Sequence, residues 1–190
     1  MNLDLYFATP IYWTDTDLFT EDLLDLCMSL TSESVNHSNI NGFQSKSLEK
    51  DDHPSLLEFG ENIEDYCRLI SKDYNCKPLE VRNLWFNVNN KNSYNQMHTH
   101  PGSIISGVFY LKANESSGEI KFHRNPYEEM FFGNLQPKGV TELNAMSCNY
   151  KPAVGRLILF PSYLLHSVLP NNDEDERISI SFRSEEHTSE

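Results

Sequence analysis

Positive charge is scarce in this sequence and never gathers into runs. Fifteen Lys and Arg stand against 28 Asp and Glu over 190 residues, for a net charge of -13. Nucleic acid and anionic lipid are held by clustered cations that release counterions, so neither is expected as a partner. The four cysteines (Cys27, Cys67, Cys76 and Cys148) show no Cys-x-x-Cys spacing, which argues against a zinc knuckle or a disulfide framework and fits a reducing cytoplasm. No apolar stretch is long enough to span a membrane, and Met1-Asn-Leu-Asp-Leu-Tyr-Phe7 has neither the basic nor the apolar region of an export signal. Internal repeats and low-complexity tracts are missing too. What is left is a chain long enough to build one domain with a real core.

Leu3 to Trp13 alternates, is rich in aromatics, and is broken by Pro10, which predicts an edge strand. Asp15 to Asp17 offers N-caps for a helix over Leu18 to Thr31, where Leu23, Leu24, Cys27 and Leu30 recur at helical spacing. Asn36 to Lys50 is polar and aperiodic, so it reads as a long loop. From Pro54 a second helix places Leu56, Ile63, Cys67 and Ile70 on one face, with Glu58, Glu61, Glu64 and Asp65 on the wet one. Strands follow at Leu79 to Asn89, Ser103 to Leu111, Glu119 to Phe122, Met146 to Tyr150, Leu157 to Phe160, Leu164 to Leu169 and Arg177 to Phe182. Helices followed by many short strands predict an α+β, mainly β domain that closes as a sandwich or barrel. Asn125 to Asn144, with two Pro and two Gly, reads as an insertion between strands.

The chemistry concentrates in Gln96-Met-His98-Thr-His100-Pro, where two imidazoles lie one residue apart and so on one side of a strand end. A lone histidine is more often a structural group, but a close pair is costly unless something binds between them. Neutral imidazole suits Fe, Zn, Cu and Ni. A third histidine, His166, adjoins another strand-like run, and Arg177 opens the alternating Arg177-Ile-Ser179-Ile-Ser181-Phe182. Taken alone, Arg177 could simply pair with the acidic run Asp173 to Glu176, and Tyr110 could be a core aromatic.

Together these motifs resemble the 2-oxoglutarate and iron(II)-dependent oxygenases of the prolyl 4-hydroxylase-like branch, and in particular a family of oxygenases from bacteria and phages with an HxH motif. The resemblance rests on Trp85-Phe-Asn87, His98-Thr-His100-Pro, Ser106-Gly-Val-Phe-Tyr110-Leu, Gly155 to Ser162, His166, Pro170-Asn171 and Arg177 to Phe182. It reaches Phe7-Ala-Thr-Pro10 and Gly42-Phe-Gln44-Ser45 in the N-terminal part. It implies a double-stranded β-helix (a cupin-like jelly roll) over 79–182, buttressed by a strand and helices over 1–78, forming one domain of 1–182. It further implies Fe(II), 2-oxoglutarate and O2 as cofactor and cosubstrates, with release of succinate and CO2 as a protein side chain or small molecule is hydroxylated.

By that resemblance His98 and His166 are iron ligands, and His100 sits where the superfamily usually has Asp or Glu. Either His100 ligates in place of the carboxylate or water fills the position; ligation is expected, because no oxygen ligand stands nearby. Arg177 matches the arginine that grips the far carboxylate of 2-oxoglutarate, a task that suits a planar, permanently charged fork. Tyr110 matches a further contact to that carboxylate, and the period-2 rule puts Ser179 on the face of Arg177 as a second donor to it and adds Ser106 and Asn87 to the cofactor pocket. A cupin-type three-histidine dioxygenase or isomerase without 2-oxoglutarate is the alternative enzyme, although Ile104 and Ile105 stand where a cupin has a glutamate. A non-catalytic β-sandwich binding module is the non-enzyme alternative. Residues 183–190, Arg-Ser-Glu-Glu-His-Thr-Ser-Glu, resemble the translation of a common sequencing-adapter oligonucleotide, so His187 receives no role; without their three Glu and one Arg the charge is still about -11.

Overall fold

A computed structural model describes residues 1–30, 34–35 and 37–186. The first strand, β1 (Tyr12–Asp15), starts later than its sequence pattern suggests, and the apolar residues before it, from Leu3 to Phe7, are exposed. Helix α1 (Glu21–Ser29) is shorter than expected, because Thr20, rather than the preceding aspartates, caps it by accepting the Leu23 N–H at 3.2 Å. The expected loop over 36–50 contains two short strands, β2 (Asn39–Ile40) and β3 (Phe43–Gln44), before a 3-10 turn at Lys50–Asp52. Helix α2 (Pro54–Tyr74) starts with Pro at its first position and stops where Asn75 turns left-handed at φ 49°.

The remaining strands are β4 (Leu79–Asn89), β5 (Tyr94–His98), β6 (Ile105–Lys112), β7 (Ile120–His123), β8 (Ser147–Tyr150), β9 (Arg156–Pro161), β10 (His166–Val168) and β11 (Arg177–Glu186), with a short helix α3 (Pro126–Phe132) in the expected insertion. They form two antiparallel sheets. The larger has the order β1-β9-β6-β11-β4-β3 and the smaller β2-β5-β10-β7-β8. This is the double-stranded β-helix. Strand β11 was expected to end at Phe182, but it continues to Glu186 because Ser184 pairs with both Val81 and Ile105 across a bulge after Arg183. His187 lies outside the described residues.

The period-2 rule divides the larger sheet between two environments. One face sends Leu84, Phe86, Phe109, Ile180 and Phe182 against Phe59, Ile63 and Cys67 of α2, where the Phe59 ring tilts onto Phe109 at 5.3 Å and meets Phe182 edge-on at 6.5 Å. The other face, carrying Val108, Tyr110 and Ile158, turns toward Ile120 and Phe122 of the smaller sheet. Glu64 was expected on the wet face of α2. It is instead buried against β4, where it accepts the Val81 N–H at 3.1 Å and pairs with Lys50 at 2.7 Å, which satisfies the charge in place. The helices therefore brace the back of the larger sheet and leave its inner face to the cavity. Among the described residues no helix is long and apolar enough to cross a membrane.

Candidate active site

Antiparallel pairing brings the histidines together. His98 closes β5 and His166 opens β10, and the register places them directly opposite one another. His100 follows two residues after β5 and is held by its backbone N–H, which donates to the Ser162 carbonyl at 2.9 Å. The ring centroids of His98 and His166 lie 4.3 Å apart, those of His98 and His100 4.9 Å, and those of His100 and His166 5.0 Å. One ring nitrogen from each falls within 4.8 Å of the others.

The orientation of two rings is fixed from behind. Nδ1 of His98 donates to the Gln96 carbonyl at 2.7 Å and Nδ1 of His166 to the Leu164 carbonyl at 2.8 Å. Each proton is thereby committed to Nδ1, which leaves Nε2 with a free lone pair. Phe160 meets the His166 ring edge-on at 4.7 Å, and Trp85 lies 5.7 Å from His100. Burial, and then repulsion among the three rings, hold His100 and His166 down to about 3, and burial lowers His98 as well. All three are neutral at physiological pH, the form in which imidazole binds a metal.

The histidines open into a cavity of about 590 Å³ between the sheets. Arg177, at the start of β11, is 1% exposed and reaches the same cavity. Its Nη1 donates to the carbonyls of Ser117, of Gly118 at 3.0 Å and of Leu169 at 3.3 Å, while its buried Nη2 has no partner. The acidic run leaves it alone: Glu174 pairs with Lys91, and Glu176 with Lys112 at 3.6 Å. Strand register next lines up Asn87, Ser179 and Tyr110 on adjacent strands, and all three face the cavity. Burial pushes the Tyr110 hydroxyl up to about 12 against the pull of Arg177, so it keeps its proton.

A family model described as "Putative 2OG-Fe(II) oxygenase" matches residues 83–183, more than half of the chain. The chain belongs to this oxygenase family. Comparison with curated proteins finds no match by sequence. Among solved structures, a Pseudomonas putida prolyl-4-hydroxylase superposes with a TM-score of 0.62 at 14% identity, covering 93% of each chain. The viral collagen prolyl hydroxylase from Paramecium Bursaria Chlorella virus-1, in its 2OG complex, gives a TM-score of 0.63 at 16% identity over 93% of this chain and 96% of that one. The non-heme alpha ketoglutarate dependent epimerase SnoN from nogalamycin biosynthesis gives 0.70 at 11% identity, over 94% and 78%. These likenesses place the oxygenase in the double-stranded β-helix fold.

The donors of the oxygenase cavity suit the family's cofactors. Three neutral imidazoles in a cluster can hold a first-row metal. A buried guanidinium with one orphaned N–H group calls for an anion with at least one free oxygen, and a carboxylate supplies it. Asn87 lies on the wall but spends its amide on Ser181, at 3.1 Å, and on Asn39, at 3.5 Å. Ser106 does not line the cavity. It shares a hydrogen bond of 2.7 Å with Ser162, the residue whose carbonyl takes the His100 N–H, so that segment lies over it. Period 2 gives the face of a side chain, but not what covers it. Gln44, which lines the cavity from β3, was not singled out as a site residue; a two-residue strand offers no period to read.

Proposed function

We propose that the chain is an Fe(II)- and 2-oxoglutarate-dependent hydroxylase in which His98, His100 and His166 hold the iron while Arg177, Ser179 and Tyr110 hold the far carboxylate of 2-oxoglutarate. The observation that supports it is one cavity with two unmet demands: three clustered neutral imidazoles, and a buried cation with a free donor edge. When bound, Fe(II) and 2-oxoglutarate would supply the electrons that activate O2, one of whose oxygen atoms would enter the substrate C–H bond and the other succinate, as 2-oxoglutarate loses CO2.

The protein's part is geometry. The Gln96 and Leu164 carbonyls hold the Nδ1 protons of His98 and His166 and so aim both Nε2 atoms at one point. Arg177 binds by charge and by its planar edge, Tyr110 donates its retained proton, and Ser179 adds a hydroxyl from the same row. Ser106 acts at one remove, through Ser162, on the backbone of His100. Phe122, Phe160, Val108 and Ile120 surround this end with apolar surface, which keeps water away from the reacting centre. The substrate is a protein side chain or a small molecule rather than nucleic acid, since Arg177 and Arg183 are the only Lys or Arg among the described lining residues. The unpaired thiols of Cys27 and Cys67 support work in the cytoplasm.

Anaerobic titration of Fe(II)-loaded protein with 2-oxoglutarate tests this reading. A weak visible charge-transfer band that fades in Arg177→Ala, and succinate formation in air, are the expected results. Iron binding with no band would transfer the protein to a three-histidine enzyme without 2-oxoglutarate. Failure to bind iron would leave a non-catalytic scaffold.

A further inference from the structure

Strand register extends the cofactor row by one residue. Tyr110 on β6 pairs with Ser179 on β11, Ser179 with Asn87 on β4, and Asn87 with Gln44 on the edge strand β3. All four side chains line the cavity. Adjacent strands lie ~4.8 Å apart, so Gln44 sits roughly 10 Å from the strand that carries Arg177 and Ser179. That is beyond the reach of a carboxylate held by those two residues. Gln44 faces a different arm of the cavity.

Gln44 is 7% exposed, and its Oε1 is buried with no hydrogen-bond partner. Such a group is costly in an apolar setting, and its neighbours are already committed elsewhere. Asn39 donates to the Phe43 carbonyl at 3.1 Å and to Asn87 at 3.5 Å, Asn89 donates to Asn39 at 3.5 Å, and Asn95 donates to Ser38 at 3.2 Å. The frame is closely fitted. A Cβ at Gly42 would lie 2.5 Å from Asn39 Oδ1 and 2.8 Å from the Val88 carbonyl, so only glycine lets the β2–β3 turn close on these amides. Among the described residues the charged side chains that line the cavity are Arg177 and Arg183, both on β11, two strands away from Gln44, and no Asp, Glu or Lys joins them, so Gln44 has no charged lining residue on its own or the adjacent strand.

We propose that Gln44 is the binding group of a substrate subsite and that the group it receives is a neutral amide, the peptide group beside the side chain to be oxidised. A carboxamide presents one donor and one acceptor side by side, and its full complement is another amide, which meets both at once. A cation would find no carboxylate among the described lining residues, an anion would face the acceptor Oε1, and an apolar group would leave Oε1 unmet. This inference rests on the oxygenase reading of the same cavity and narrows its substrate to a polypeptide.

The test uses the full chain loaded with Zn(II), which is redox-silent, and with 2-oxoglutarate. The side-chain amide signal of Gln44 is followed by NMR. Binding of 2-oxoglutarate to wild type is measured first, and its absence would overturn the oxygenase reading and this subsite with it. With 2-oxoglutarate bound, a panel of amino acids capped by N-acetyl and C-methylamide groups is titrated in, with glycerol and glucose as polyol controls. At least one capped amino acid is expected to shift the Gln44 signal. Its Kd should rise at least ~10-fold in Gln44→Leu and in Gln44→Asn, which withdraws the amide by one methylene, while 2-oxoglutarate binding changes less than about twofold. No response to any capped amino acid would refute the subsite, as would unchanged binding in both variants or a shift produced by the polyols alone. A parallel loss of 2-oxoglutarate binding in both variants would assign Gln44 to the cosubstrate and overturn the proposal as well.

Discussion

Substituting Arg177 by Gln separates the two jobs of this side chain. Nη1 ties together the carbonyls of Ser117, Gly118 and Leu169, and Nη2 is the orphaned edge turned to the cavity. A glutamine retains an N–H donor for part of the carbonyl cluster but loses the charge and the fork. Removing one partner of a buried charge pair costs roughly 2–5 kcal/mol, and every 1.4 kcal/mol is a factor of ten, so the Kd for 2-oxoglutarate should rise at least ~30-fold. Iron affinity should hold, because no histidine ligand touches Arg177 among the contacts described. Thermal stability without 2-oxoglutarate should fall only modestly, since the lost hydrogen bonds are offset by removal of a buried cation that has no counter-charge. Anaerobic titration followed at the visible band gives the Kd, and a melting curve gives the stability. A Kd within about threefold of wild type would refute the assignment of Nη2 to a carboxylate.

His100→Ala should lower metal affinity by at least ~10-fold, the lower end of what loss of even an outer-shell partner costs, as read by competition with a chelator. Gly118 has φ +83°, and a Cβ there would lie 2.2 Å from the Leu169 carbonyl and 2.8 Å from Arg177 Nη1; Gly118→Ala should therefore lower the Tm and weaken 2-oxoglutarate binding together. Phe59→Ala empties a site 2% exposed between Phe109 and Phe182 and should cost about 3–5 kcal/mol, a drop of roughly 6–20 °C in Tm, without changing the visible band of the folded protein. Metal-free protein should lose stability in acid. The folded pKa of His166, about 3, lies below its ordinary value of 6.5, so the unfolded chain binds the extra proton between those values. Stability is full above pH 6.5 and falls toward pH 3, by ~1.4 kcal/mol per pH unit for this residue alone; denaturant melts across that window measure the slope.

How much of this was legible in the sequence depended on whether a residue's role follows from its own strand or from a neighbour's. The spacing of His98 and His100 points to a metal locally, whereas His166 and Arg177 could be named through the motifs of the family the chain resembles; pairing of β5 with β10 then closes the histidine cluster. Tyr110 and Ser179 share a face rule, and their register adds that they are direct neighbours. Ser106 obeys the same rule and still misses the cavity, because Ser162, 56 residues away, covers it. Glu64 was misplaced for a related reason: helical spacing counts charges on a face but cannot see the Val81 N–H waiting opposite.

Gln44 shows the limit most clearly. Its strand is two residues long, and its place in the row comes entirely from β4, whose own place comes from β11 and β6. A residue set by three successive pairings leaves no local trace, because each register is decided by contacts far away in the chain. Its unmet Oε1 becomes visible only when the partners of Asn39, Asn87 and Asn89 have been accounted for. The proposed metal and carboxylate ligands could thus be read from motifs, whereas the proposed substrate subsite lies on an edge strand, where a short element leans on a sheet built by others.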